Sequence, residues 1–114
     1  MLAVIFEVKP TTEGKPEYLK IAGEIRKFLQ DQEGLISIER FQSLVDEQKL
    51  LSLSFWEDEE SITKWRNLLE HRAAQQRGYD ELFEEYRIRV AEVVRDYSMD
   101  EREQAPADSN AALI

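Results

Sequence analysis

The sequence predicts an α+β protein with one four-stranded antiparallel sheet and two helices. Short apolar, β-branched stretches alternate with two longer stretches that have helical periodicity, in the order β-α-β-β-α-β. Turn-forming residues separate most of these stretches. The 114 residues are enough for one hydrophobic core but too few for a separate catalytic lobe. Any site must therefore be built on this sheet or shared with a second copy.

The first half of the chain predicts a strand followed by a helix. Residues 2–8, "LAVIFEV", are apolar almost throughout, as in a central strand with both faces covered. The connection "KPTTEGKPE" leads to a helix from Pro16, with Leu19, Ala22, Ile25 and Leu29 on its apolar stripe. Gly34 follows "LQDQE", at the position where a glycine commonly caps the C-terminus of a helix.

The second half predicts a hairpin, a second helix and a last strand. "LISIERFQSL" and "LLSLSFW" flank a short turn, which favours an antiparallel pair. The acidic "EDEES" favours a helix start, and the helix is predicted to end near Gln76. "YRIRVAEVVRDY", residues 86–97, alternates as a last strand. This order is the ferredoxin-like split βαβ arrangement, with both helices on one face of the sheet.

The final segment differs in composition from the rest. Residues 98–114 are polar, acidic and rich in small residues, which predicts a flexible tail outside a domain of residues 1–97. The alternative is an arm whose Leu113 and Ile114 dock on a partner subunit.

Composition excludes several classes of function. The net charge is −9, from 24 acidic and 15 basic residues, and basic residues never form a run longer than a pair, so a nucleic-acid partner is not expected. Without cysteine there is no disulfide or thiolate site. The first residues lack the pattern of a signal peptide, and no apolar run is long enough for a membrane span. We therefore expect a cytoplasmic protein.

Both faces of the predicted sheet carry apolar side chains. Leu51, Leu53 and Phe55 alternate with Ser52, Ser54 and Trp56 along one strand. A sheet face that is too apolar for water predicts a homodimer packed sheet to sheet. The small serines further predict a cavity between sheet and helices, lined by small residues and by an aromatic residue such as Trp56. The alternative is that both serines face solvent.

The local sequence resembles the antibiotic biosynthesis monooxygenase domain family over residues 1–97. The match rests on Phe55-Trp56, Glu59-Glu60, Trp65 and the run from His71 to Gln75. The resemblance implies a dimeric α+β barrel with a pocket in each subunit between sheet and helices. It also implies oxidation of a small aromatic, quinol-like or polyketide-like substrate without a cofactor, the substrate itself reducing dioxygen.

Within that family, the resemblance suggests roles for Trp56 at the end of a strand and for residues on the second helix. Trp56 and Trp65 would pack on the substrate, although Trp65 also fits a simple core position. His71 would move a proton, the alternative being a solvated histidine. Gln75 or Asn67 would orient an oxygen atom.

Two alternatives to a cofactor-independent monooxygenase stay open, a non-catalytic dimer and a haem-binding or haem-degrading protein. One histidine and scattered carboxylates give no convergent metal-ligand set, so no metal is expected. Haem-degrading relatives have a histidine ten residues after the helix tryptophan, where this chain has Gln75. A non-catalytic, ligand-binding or stress-associated dimer of the same fold is the main alternative. Arg87 and Arg89 could pair across a dimer or bind an anionic substrate group.

Overall fold

The computed structural model confirms the predicted architecture. It describes residues 1–75 and 79–112, and for residues 69–75 and 79–80 it describes the backbone alone. The four strands are antiparallel and lie in the order β2-β3-β1-β4. Among the described residues, no helix is long and apolar enough to cross a membrane. The elements are β1 (Leu2–Pro10), α1 (Lys15–Leu29), β2 (Leu35–Gln42), β3 (Leu50–Trp56), α2 (Glu59–Gln75), a 3₁₀ turn (Tyr79–Leu82), β4 (Phe83–Glu92) and α3 (Ala107–Ala112).

The apolar stripe of α1 agrees with the prediction at Leu29, which is buried, and at Ala22 and Ile25, which are half-buried, but not at Leu19. Tyr18, Ile21 and Leu29 are its buried residues, whereas Leu19 is 38 % exposed. Tyr18 and Ile21 still lie three residues apart, so the helical period was right. The choice of Leu19 was wrong because a tyrosine ring occupies the buried position beside it.

The last strand begins and ends earlier than predicted. Pairing with β1 starts at Phe83 and stops at Glu92, with one further backbone bond of 3.0 Å from the Val93 nitrogen to the Met1 oxygen. Beyond this point β1 has no residues left to pair with. The predicted strand over residues 86–97 was therefore too long, although its alternation was correct.

Gly34 lies in the turn before β2 and not at the end of α1, which ends at Leu29. Its φ of 86° is in the left-handed region that favours glycine. Its carbonyl oxygen accepts a 2.8 Å hydrogen bond from the Glu57 nitrogen, and a β-carbon here would overlap the Ser61 side chain. The glycine thus allows the start of β2 to approach the start of α2.

Helix α2 begins with a side-chain cap. The Ser61 nitrogen donates a 2.8 Å hydrogen bond to Oδ1 of Asp58, the geometry of an N-cap. This bond to the backbone, followed by one to the Ser61 side chain, lowers the pKa of Asp58 below its usual value. The predicted acidic helix start is confirmed, with Asp58 as the capping residue.

The core between helices and sheet is divided into two clusters. The first contains Val8, Tyr18 and Leu50, with Phe6, Leu82 and Phe83 packed against it. The second contains Leu29, Trp56 and Ile62, with Trp65 and several aliphatic side chains around it. The two clusters lie toward opposite ends of α1, since Tyr18 and Leu29 are eleven positions apart on that helix.

The opposite face of the sheet combines apolar side chains with a small cluster of ion-paired charged residues. Leu51 and Leu53 on β3 and Ile5 on β1 are partly exposed there. Glu7 forms ion pairs with Lys49 at 3.4 Å and with Arg89 at 3.5 Å. Arg89 therefore pairs within its own chain, on the face away from the helices.

The segment after β4 has local structure that the sequence analysis did not predict. Arg102 lies over the Tyr97 ring at 5.0 Å, and its Nε donates a 3.1 Å hydrogen bond to Oδ1 of Asn110 in α3. Its Nη1 also donates to the carbonyl oxygen of Ser98. The flexibility of this segment relative to residues 1–97 stays a prediction, as does docking of residues 113 and 114, which lie outside the described residues.

Candidate functional site

The floor of the site consists of two rows of side chains that cross the sheet. Strand pairing aligns residues of all four strands on the face toward the helices. One inner row is Arg40, Ser52, Phe6 and Ile88, and the next is Ile38, Ser54, Val4 and Val90. Neighbouring strands lie about 4.8 Å apart, so each row is about 14 Å long.

Side-chain size explains why space remains above these rows. The rows on either side contain Leu50 and Val8 at one end and Trp56 and Leu2 at the other, and these belong to the two core clusters. At the inner rows β3 contributes only serines, which are too small to reach α1. A cavity of about 400 Å³ lies between the clusters as a result, within the usual size range of small-molecule sites.

The cavity walls come from both helices and are mainly apolar. On α1 the lining residues include Ile21, Ala22 and Ile25, and on α2 they are Ile62, Trp65 and Arg66. Among the described residues nothing closes the β4 side, because Tyr86, Ile88 and Val90 are 50–60 % exposed although they face the helices. A ligand can therefore enter over β4.

Ser54 and Trp56 form a buried pair beneath the cavity. The Trp56 side chain is fully buried, and its Nε1 donates a 2.9 Å hydrogen bond to Oγ of Ser54, which is 5 % exposed. Both Ser52 and Ser54 line the cavity, so the alternative that they face solvent is wrong. Trp56 itself is fully buried and is not a lining residue, so the prediction that it lines the cavity was wrong.

The Trp65 ring connects this pair to the cavity. It is half-buried, lies 6.4 Å from the Trp56 ring with an angle of 30° between the planes, and lines the cavity. It is therefore both a core residue and a wall residue, as the sequence allowed.

The remaining predicted residues on α2 are not brought to the cavity by the described side chains. Asn67 is exposed and does not line the cavity, so the geometry gives no support for its contact with a substrate. The α2 backbone includes the positions of His71 and Gln75, but their side chains lie outside the described residues.

A cluster of four aromatic side chains lies at one end of the cavity. Tyr18 packs edge-on against Phe83 at 5.5 Å, and Tyr86 packs edge-on against both Phe83 and Phe6 at 5.9 Å. Burial raises the pKa of the Tyr18 hydroxyl above its usual value, and the positive charge of Arg40 lowers it by less. Tyr18 therefore stays protonated at neutral pH and can donate a hydrogen bond.

Sequence reasoning missed the basic residues of the cavity. Arg26, Arg40 and Arg66 line it from three different elements, whereas the predicted candidates Arg87 and Arg89 are on the other face. The alternation of Arg40 with Ile38 along β2 contained the signal, because both side chains then face the helices. This alternation identifies Arg40 as a cavity residue only when it is known which face of the edge strand the helices cover.

The fold and cavity define a class of small α+β proteins with a ligand-sized space between sheet and helices, and comparison with known proteins gives the family. Residues 1–77 match the model of the antibiotic biosynthesis monooxygenase family, and the chain belongs to that family. A jasmonate monooxygenase of Pyricularia oryzae is 42 % identical over 93 residues, which are 82 % of this chain and 43 % of that protein. The chain thus spans less than half the length of this relative.

Solved structures agree on the fold. Rv0793 from Mycobacterium tuberculosis superposes with a TM-score of 0.73 at 17 % identity, covering 85 % of this chain and 98 % of that one. The haem degrader MhuD from the same organism gives a TM-score of 0.67 at 17 % identity, covering 86 % and 100 %. At these identities the likeness shows the ferredoxin-like fold alone.

Proposed function

We propose that this protein is a monooxygenase that oxidises a small aromatic, quinol-like or polyketide-like substrate in the cavity between the sheet and the helices. The observation that carries the proposal is the apolar cavity between two separate core clusters, with serines in its floor and Trp65 in its wall. Family membership supports the reaction class, and the relative named as a jasmonate monooxygenase supports it further.

The chemistry needs no cofactor when the substrate has an acidic C–H group. Removal of a proton from a CH₂ next to a phenolic ring gives a carbanion that can reduce dioxygen. Conversion of CH₂ to C=O releases four electrons; one oxygen atom enters the product and the other leaves as water. The protein then has to bind the substrate, exclude water and accept one proton.

We assign the proton transfer to His71 as a proposal. Histidine is the side chain whose ordinary pKa lies nearest to neutral pH, and the chain has a single histidine. Ser52 could orient a substrate oxygen, because its hydroxyl faces the cavity and has no hydrogen bond to any other described residue. Gln75 is a second candidate for that role.

The protein is further proposed to be a homodimer. The sheet face away from the helices exposes parts of Ile5, Leu51, Leu53 and Phe55, and a second copy packed on it would remove this surface from water. Sedimentation at micromolar concentration tests this, and a clean monomer would contradict it. A cytoplasmic location also stays a proposal.

Haem chemistry is a poorer fit. The described lining residues contain no histidine or cysteine, and Phe6 presents an apolar ring to the floor. An axial histidine would have to be His71. We therefore propose no step that involves haem.

The test is oxidation of anthrone, a carbon acid whose CH₂ lies between two aromatic rings, under ¹⁸O₂ without added flavin or metal. The expected product gains one labelled oxygen and loses two hydrogens, at a rate above that of buffer alone. Jasmonate is assayed in parallel with and without NADH, because insertion of oxygen into an unactivated C–H bond needs two further electrons. Saturable binding of anthrone without oxidation of either compound would favour the non-catalytic, ligand-binding alternative.

A further inference from the structure

Arg40 lies at one end of an otherwise uncharged row in the cavity floor. Strand pairing aligns it with Ser52, Phe6 and Ile88 on the face toward the helices. In this row Arg40 is the charged residue, and the far end of the row is the open side over β4. A ligand entering over β4 would thus meet apolar groups first and the guanidinium last.

The Arg40 side chain has no acidic partner in the part of the chain that the structure describes. All five ion pairs found there involve other residues. The adjacent Glu39 contacts the cavity, but it alternates with Arg40 and pairs with Leu53, whose side chain is on the other face. Arg40 is an exposed residue of the edge strand β2, and no described carboxylate competes with a ligand for its guanidinium.

Tyr18 places a second donor in the same cavity. The residue is 4 % exposed and, like Arg40, lines the cavity, and the positive charge of Arg40 acts on its hydroxyl. No described residue forms a hydrogen bond with the hydroxyl. A buried phenol without a partner costs free energy unless water or a ligand accepts its proton.

We infer that Arg40 and the Tyr18 hydroxyl bind the carboxylate of an otherwise apolar ligand, which lies across the strands with its apolar end toward β4. This inference rests on the proposed function for the location of the site, and it adds the substrate class: an apolar or aromatic monocarboxylate. A guanidinium and a hydroxyl can donate to the two oxygens of one carboxylate together. Arg26 and Arg66 at the cavity rim add positive charge that favours entry of an anion.

The test uses a matched pair of ligands, 1-naphthaleneacetate and the neutral 1-naphthaleneacetamide, measured by titration calorimetry on the intact protein. The wild type should bind the acetate at least about tenfold more tightly than the amide. Arg40→Gln should weaken acetate binding about 10–100-fold, the size expected for a charged hydrogen bond, and leave amide binding within about twofold. Tyr18→Phe should reduce acetate binding by a smaller factor.

Arg95→Gln is the control. Arg95 is exposed, follows β4 and does not line the cavity, yet its substitution changes the net charge equally. The inference is contradicted if Arg95→Gln weakens acetate binding as much as Arg40→Gln does. It is also contradicted if the wild type shows no preference for the acetate, or binds neither compound at about 1 mM.

The result separates this inference from the proposed function. Acetate binding that depends on Arg40, in a protein that oxidises no substrate tested, would support the inference and contradict the monooxygenase proposal. Oxidation of neutral anthrone with equal rates in the wild type and Arg40→Gln, and no preference for the acetate, would do the reverse.

Discussion

The indole nitrogen of Trp56 donates a 2.9 Å hydrogen bond to the hydroxyl oxygen of Ser54, two residues earlier on the same strand. Both side chains are buried, at 0 % and 5 % exposure. The bond satisfies the polar group of a large core residue and keeps a small residue at the cavity floor. One contact thus links stability of the second core cluster to the space above it.

Ser54→Ala should destabilise the protein by about 1–3 kcal/mol, because it leaves a buried indole N–H without an acceptor. Ser52→Ala is the control, since the Ser52 hydroxyl has no bond to another described residue and its loss should cost less than about 0.5 kcal/mol. Urea denaturation measures both. Equal effects would mean that the Trp56 bond does not contribute to stability.

Gly34→Ala should lower the free energy of unfolding by at least about 1–2 kcal/mol, because alanine is strained at a φ of 86° and its β-carbon overlaps Ser61. Gly23→Ala, within α1, should be neutral or stabilising by up to about 1 kcal/mol, since the added carbon meets open space. Thermal melts of the two variants should therefore shift in opposite directions or differ by at least about 5 °C. Similar melting temperatures would contradict the described turn.

The cap of α2 should give stability a defined pH dependence. The pKa of Asp58 is lower in the folded protein than in the unfolded chain, so its stabilising effect is full above the unfolded pKa and is lost as the pH falls through the folded value. Asp58→Asn keeps an acceptor that does not titrate. The stability of the wild type relative to Asp58→Asn should fall between pH 5 and pH 3, as measured by urea denaturation at each pH; a constant difference would exclude a role for the ionised cap.

Trp65→Ala and His71→Ala should separate structure from chemistry on α2. Trp65 is half-buried, so its loss should cost about 1–3 kcal/mol, below the 3–5 kcal/mol of a fully buried aromatic residue. His71→Ala should stay within about 0.5 kcal/mol of the wild type and slow turnover about 10²–10⁴-fold. If His71→Ala retains more than half of the wild-type activity, His71 has no role in proton transfer and is a solvated helix residue.

The strands, helices and topology could be predicted because periods of two and 3.6 residues appear directly in the sequence. The serine-floored cavity could also be predicted, since Ser52 and Ser54 alternate with large apolar residues. Tyr18 and Arg40 could not be assigned, because their roles depend on how α1 is rotated and on which face of an edge strand the helices cover. Both are tertiary properties that local periodicity does not contain.

The most direct test of the cavity as the reaction site is anthrone oxidation by Ser52→Leu. Leucine at this position extends into the cavity between the two core clusters, so we expect stability to be unchanged or higher while turnover falls at least about tenfold. Ser98→Leu, in the segment after β4, is the matched control and should oxidise anthrone at the wild-type rate. A Ser52→Leu protein that is folded and oxidises anthrone as fast as the wild type would show that the reaction does not take place in this cavity.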